Sequence, residues 1–137
     1  MSDGSFYHLD IVDTSGDKKY LDVLTSFIKD SNVIIIMYDI TNKDSFKGLS
    51  TFNEVIKNYW DKNKKVILLG NKSDLEKERK VSFEEGKYLA KLNNFIFMEV
   101  SCLENRNIKE TMEIAISIGV TGKNNPYLKK IHLRPKK

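Results

Sequence analysis

A single cysteine, Cys102, stands in this chain of 137 residues, so no internal disulfide can form. Such sparing use of cysteine fits a reducing compartment. Long apolar runs are also missing. The longest, residues 33–38, is far shorter than the ~20 residues a membrane-spanning helix needs. The N-terminus has neither the basic stretch nor the apolar core of a secretory signal, so a cytoplasmic location is expected. Histidine is scarce, and His8 and His132 lie at opposite ends of the chain. Neither falls in an element that matches Cys102, which argues against thiol–imidazole nucleophilic catalysis. No internal repeat or low-complexity stretch appears.

One more absence concerns phosphate. Nowhere do these residues spell G-x-x-x-x-G-K-[ST], the loop whose backbone N–H groups cradle phosphates. The segment that imitates its end runs from Gly119 to Lys123. It has Ser117 where the first glycine would stand and Asn124 where the hydroxyl residue would be. It also follows a helical pattern, not a strand, and is expected to be a helix C-terminus with glycine in a capping role.

The chain is 40% apolar and 31% charged, an ordinary globular composition. Its length fits one domain that buries roughly two-thirds of its unfolded surface. The net charge of +4 is uneven: Lys123, Lys129, Lys130, Arg134, Lys136 and Lys137 are joined by no acid. Residues 119–137 therefore form a basic tail. Its plain reading is a solvated terminus. The alternative is weak contact with an anionic membrane, at ~1 kcal/mol per charge near the surface, which would make the protein peripheral there. No cysteine lies in the tail, so prenylation of this chain is excluded. A nucleic-acid partner is not expected.

Strand-like and helix-like patterns alternate. Residues 6–12 read as a strand and 13–17 as a loop. Residues 18–29 carry Tyr20, Leu21, Leu24, Phe27 and Ile28 at helical spacing. Residues 33–38 are a continuous apolar run, as in a strand covered on both faces. Thr41 and Asn42 are good N-caps for a helix that displays Phe46, Leu49, Phe52, Val55, Ile56 and Tyr59. A third strand over 66–69 follows. Ser82 with Glu85 makes a capping-box pattern, and Asn107 with Glu110 resembles a second. Between these helices lies a fourth strand over 95–100. Ile108, Met112, Ala115 and Ile116 are the expected inward stripe of the last helix. The alternation points to an α/β fold, a mostly parallel sheet with crossover helices. Ligands of such folds sit beyond the carboxyl ends of the strands. Asp13, Asn71 and Ser101 each follow a strand-like run, so all three are expected at that edge.

Asn71-Lys72-Ser73-Asp74 carries the most chemistry. A carboxylate at Asp74 can accept from the two adjacent N–H groups on the Watson–Crick edge of guanine, which adenine does not offer. The Lys72 stem can lie on the purine face with its ammonium near the phosphates, and the Asn71 amide can brace neighbouring loops. In the segment from Glu99 to Leu103, the Cys102 N–H could bond the guanine O6 while the Ser101 hydroxyl steadies Asp74. Asp13-Thr14-Ser15-Gly16 puts a carboxylate where it can hold Mg²⁺ through water, and the Gly16 N–H can approach a terminal phosphate.

With these motifs in this order, residues 3–118 resemble the Ras superfamily of small GTPases, and within it the Rab-like branch. The match rests on Leu9 to Gly16, Tyr38 to Asn42 with Ser45 and Phe46, Gly70 to Leu75, and Glu99 to Leu103. The resemblance implies a Ras-like G domain over 1–118, of the P-loop NTPase class. It implies GTP or GDP with Mg²⁺ as ligands and a switching role in vesicle traffic. Three departures stand out. The family's first strand, P-loop, first helix and most of its second strand have no counterpart here. Asp17 occupies the position of the glutamine that orients the attacking water. Leu103 stands where the family usually has lysine.

Guanine nucleotide binding by this chain is therefore expected to be weak or partner-dependent, and hydrolysis lost. The alternative is a pseudo-GTPase that binds proteins without nucleotide. In the family sheet the first strand is central, so its absence is expected to expose edges on 6–12 and 33–38. Either these strands pair directly, or a protein partner, a second copy or an N-terminal piece fills the slot.

Overall fold

In the computed structural model, which describes residues 9–59 and 65–121, three parallel strands form one sheet in the order β1–β2–β3. They are β1 (Val33–Asp39), β2 (Lys65–Asn71) and β3 (Ile96–Glu99). Four helices surround them: α1 (Leu21–Asp30), α2 (Lys43–Asn58), α3 (Phe83–Asn93) and α4 (Ile108–Thr121). The α/β class expected from the alternation is the one that forms. Register places Ile34 beside Val66, Ile36 beside Leu68 and Tyr38 beside Gly70. On the other face Ile35 lies beside Ile67 and Met37 beside Leu69, with Ile96 and Met98 beyond them.

Because side chains alternate across a strand, the two faces build separate cores. Ile36, Tyr38, Val66 and Leu68 pack with Ile28 of α1, Leu49 and Ile56 of α2, and Ala90 of α3. Ile67 and Leu69 pack with Val100 and with Ile108, Ile114, Ala115 and Ile118 of α4. The α4 stripe thus differs from the sequence reading: Met112 and Ile116 are outside this cluster, and Ile114 and Ile118 are in it.

Local signals explain the starts of α2 and α3. Asn42 Oδ1 accepts from the N–H groups of Asp44 and Ser45 at 2.9 and 3.2 Å. Ser82 and Glu85 form the expected reciprocal box. Asn94, at φ 56°, ends α3 in the left-handed conformation that asparagine tolerates. The second box does not form. Asn107 sits at φ 60°, and its amide donates to the Glu99 carbonyl at 2.8 Å instead of capping α4.

A further expectation needs correction. Residues 9–12 are not a strand; Leu9, Ile11 and Val12 are exposed, and the rest of the expected strand, 6–8, lies outside the described residues. A strand needs a ladder partner, and among the described residues β1 hydrogen-bonds only β2, so residues 9–12 do not pair with it. The segment that begins at Gly119 does lie at the C-terminal end of α4. Gly119 itself is inside the helix, where an added Cβ would come 3.0 Å from Val33 Cγ2, while Gly122 and Lys123 fall outside the described residues.

Gly86 of α3 has a related role with a larger consequence. A Cβ there would stand 2.6 Å from Phe97 Cζ and closer still to the Tyr38 hydroxyl. Tyr38 is buried and stacks edge-on against Phe46 with centroids 4.9 Å apart, so it has little room to yield. Helix propensity alone favours alanine over glycine by ~1 kcal/mol, but overpacking costs ~1–3 kcal/mol. Gly86→Ala is therefore expected to destabilise by ~1 kcal/mol in urea unfolding. A raised midpoint would show that the rings give way.

The box at α3 also titrates in a defined direction. A hydrogen bond from Lys43 Nζ, then bonds from the Ser82 N–H and hydroxyl, lower the Glu85 carboxyl to about 2. A depressed folded value means stability that is present above the unfolded value of 4.5 and lost as pH falls through about 2. An NMR titration is expected to find Glu85 ionised at about pH 3.5 and Lys43→Ala raising its midpoint toward the unfolded value. A wild-type midpoint near the ordinary value would contradict the cap.

Candidate functional site

Two loops meet beyond the carboxyl ends of β2 and β3. The first is the turn that leaves β2 at Asn71; the second follows β3 from Ser101. Backbone hydrogen bonds tie them: Val100 N–H to the Gly70 carbonyl at 2.9 Å and Ser73 N–H to the Val100 carbonyl at 3.0 Å. Ser101 and Arg106 bond each other's backbone in both directions, closing the second loop into a tight bridge.

The side chains reinforce this frame. Asn71 Oδ1 accepts from its neighbour Lys72 N–H at 2.8 Å and from Cys102 N–H, more loosely, at 3.4 Å. The Ser101 hydroxyl, fully buried, donates to Asp74 Oδ1 at 2.5 Å. The same oxygen of Ser101 accepts from Glu104 N–H at 3.0 Å. Asp74 is thus held at a defined position at the loop surface, and its Oδ2 takes none of the described hydrogen bonds.

Backbone conformation marks the same loops. Lys72 at φ 65°, Asn105 at φ 54° and Asn107 at φ 60° adopt left-handed conformations. Asparagine does so readily, whereas lysine there stores ~1–3 kcal/mol of strain. The Lys72 side chain reaches β1, where Nζ pairs with Asp39 Oδ2 at 2.6 Å. Partial burial pushes the Asp39 carboxyl up, but the bonds from Lys72 and from the Thr41 hydroxyl and N–H outweigh it and leave it below the ordinary carboxylate range. Lys72 is held correspondingly high by Asp39.

Arg79 and Arg106 brace the site from behind. Arg79 makes two bonds to the Glu99 carboxylate, at 2.7 and 2.8 Å, and one to the Val81 carbonyl at 2.9 Å. These bonds to Glu99, then those to Glu76, raise the guanidinium above its ordinary value. Arg106 donates to the Ser73 carbonyl at 3.3 Å and pairs with Glu104. Sequence reasoning missed Asp39, Arg79 and Arg106. One signal was available for the second: Glu99 is a carboxylate inside an apolar strand, and a part-buried charge requires a partner.

The residues expected to touch phosphate and magnesium lie apart. Asp13 and Gly16 are exposed on irregular backbone. No described hydrogen bond or ion pair joins them to the 71–74 turn. Asp13, Thr14 and Ser15 instead line an open cleft of about 440 Å³ with Tyr20, Val23, Leu24 and Phe27 of the α1 region. Asp17 is turned to local use: it accepts from Lys19 N–H at 3.1 Å and pairs with Lys19 Nζ at 3.2 Å. No group of three or more His, Cys, Asp or Glu side chains converges among the described residues. Asp13 is therefore the one expected contact for Mg²⁺ among the described residues, and it could reach the ion only through water, the remaining positions being left to water and phosphate. Leu103 is 84% exposed.

A parallel α/β sheet with polar loops gathered at its carboxyl edge is the architecture of a Ras-like G domain. Residues 1–118 match the profile of the Ras family. Over 111 residues, 80% of this chain, it is 41% identical to Ras-related protein Rab-3C of Bos taurus, covering 48% of that protein. The match to Ras-related protein Rab-3A of Homo sapiens is also 41%, covering 50% of it, and to GTP-binding protein Rab-3D of Rattus norvegicus 42%, again covering 50%. The chain belongs to the Ras family, on its Rab-like branch. It spans about half the length of the curated relatives it matches. Among the described residues no helix is long and apolar enough to cross a membrane.

Proposed function

We propose that this chain is the base-reading half of a Rab-like G domain. It recognises guanine through Asp74, with Asn71, Lys72, Ser101, Cys102 and Leu103 around the base, and it does not hydrolyse GTP on its own. The observation that carries the reading is the 2.5 Å bond from the buried Ser101 hydroxyl to Asp74 Oδ1, which leaves the second carboxylate oxygen for the ligand. A fixed carboxylate accepts the two donors of guanine and is mismatched to adenine.

Magnitudes limit the affinity. Two charge-assisted hydrogen bonds bring ~3–6 kcal/mol, and association costs at least ~4 kcal/mol. With no P-loop backbone in these residues to cradle phosphate, GDP binds at best near ~1 mM. Asp17 at the water-orienting position repels a γ-phosphate and is already paired with Lys19. Switching in vesicle traffic, the role its Rab-like kinship implies, then needs a partner that completes the phosphate side. Weak contact of the basic tail with anionic membrane belongs to the same reading, as do a cytoplasmic location and a protein partner at the sheet edge.

A calorimetric titration of the 137-residue chain with GDP, using ADP as control, tests the affinity. The expected result is a dissociation constant at or weaker than ~1 mM for GDP, with no heat from ADP. Micromolar GDP binding by the chain alone would contradict it. The edge of β1 that no described strand pairs, with Ile35 and Met37 exposed, favours a second reading, a protein-binding module indifferent to nucleotide.

A further inference from the structure

We propose that Asp39 is a positioning residue for base recognition: it holds the Lys72 ammonium and so keeps the Lys72 stem extended as the platform on which the purine lies. The inference rests on the guanine-reading function proposed above and adds to it a residue from a different strand.

Both ends of that stem are fixed. At the backbone end, Lys72 sits in the turn after β2 at φ 65°. Its N–H donates to Asn71 Oδ1 at 2.8 Å, and its carbonyl accepts from Leu75 N–H at 2.9 Å. At the far end, Nζ meets Asp39 Oδ2 at 2.6 Å. Asp39 is the last residue of β1 and pairs in register with Asn71, the last of β2. The stem therefore runs across the carboxyl ends of two neighbouring strands. Asp74 stands in the same turn as Lys72. One loop thus offers an acceptor for the edge of the base and an apolar surface for its face.

An ordinary surface ion pair would carry no such meaning, since exposed pairs contribute little. What separates this one is the anchoring of its acid. The Asp39 side chain is only 21% exposed. Its Oδ1 accepts from the Thr41 N–H at 2.8 Å and from the Thr41 hydroxyl at 2.7 Å. Its backbone is tied to the start of α2: the Asp39 N–H donates to Ser45 Oγ at 3.0 Å, and the Asp39 carbonyl accepts from Asn42 N–H at 3.0 Å. The second carboxylate oxygen is thus aimed whether or not Lys72 is there. A free lysine stem samples many rotamers, and ordering it at the moment of binding weakens affinity about three- to tenfold. Asp39 orders it beforehand.

Asp39→Asn tests the role, because it keeps Oδ1 for Thr41 and replaces the oxygen that faces Lys72 by a donor. In an amide NMR titration of the full chain with guanosine monophosphate, this variant's dissociation constant is expected to rise about three- to tenfold. Lys72→Ala should weaken binding at least as much. Asp39→Asn combined with Lys72→Ala should weaken it no further, because Asp39 acts only through Lys72. In wild type the Lys72 ammonium should give an ordered nitrogen NMR signal that persists when the nucleotide is added. Equal binding by wild type and Asp39→Asn, additive losses in the double variant, or an ammonium that leaves Asp39 for the phosphate would each overturn the proposal and leave base reading intact. A wild type whose amides do not respond to guanosine monophosphate would instead remove base reading itself, and the role of Asp39 with it.

Discussion

Arg79→Ala is expected to cost about 3 kcal/mol of unfolding free energy, the low end of the ~3–5 kcal/mol for breaking a buried ion pair. The Arg79 and Glu99 side chains are only 16% and 13% exposed, and two hydrogen bonds join them. Removing the guanidinium leaves the Glu99 carboxylate at the end of β3 without its partner. It stands close to the buried Tyr38 hydroxyl, whose own ionisation is pushed up by burial first and by Glu99 second. The Val81 carbonyl also loses its donor. The pair need not be net stabilising, because two charges were taken from water to make it. Arg79→Met combined with Glu99→Leu should therefore recover most of the loss. Urea unfolding of the two single variants and the double variant decides the matter. A single-variant loss under about 1 kcal/mol would mean that Glu99 remains solvated.

Asp74→Ala has the largest expected effect on binding. It should abolish the preference for guanine over adenine nucleotides, because no other described carboxylate stands in the 71–74 turn. The fold should lose ~1–3 kcal/mol, because the buried Ser101 hydroxyl keeps its bond from Glu104 N–H but is left without an acceptor for its own proton. Asp74→Asn is the sharper variant. It is nearly the same size, but it replaces one acceptor by a donor that faces the guanine donors. Guanine preference should vanish in both variants while the circular dichroism stays that of wild type. A retained preference in either would move base reading elsewhere.

The parts legible in the sequence were those set by neighbours along the chain. Asn42 before α2 and Ser82 with Glu85 at α3 act over three residues, and both caps form. The apolar runs of β1 and β2 are long enough to be strands in any setting. Asn107 with Glu110 has the same spelling as a capping box, yet the asparagine is bound to the Glu99 carbonyl across the loop. Residues 9–12 have the composition of a strand, but strand formation depends on a ladder partner that composition does not report. The run at 33–38 likewise suggested burial on both faces. Which face α4 covers depends on where Ile114 and Ile118 land, and Ile35 and Met37 fall beyond them. In the candidate site the carboxylate, its serine and their loop were legible because the motif fixes them within a few residues of strand ends. The Lys72–Asp39 pair was not, since a left-handed φ at lysine has no signature in residue type.

The most direct test of base reading is an amide NMR titration of the chain with guanosine monophosphate against adenosine monophosphate. It tolerates the ~1 mM affinity expected and reports position. The guanine nucleotide should shift the amides of residues 71–75 and 101–103, with smaller effects elsewhere, and adenosine monophosphate should leave them in place. Shifts of equal size with both nucleotides, or guanine-specific shifts confined to the cleft of Asp13, Tyr20 and Phe27, would contradict recognition by Asp74.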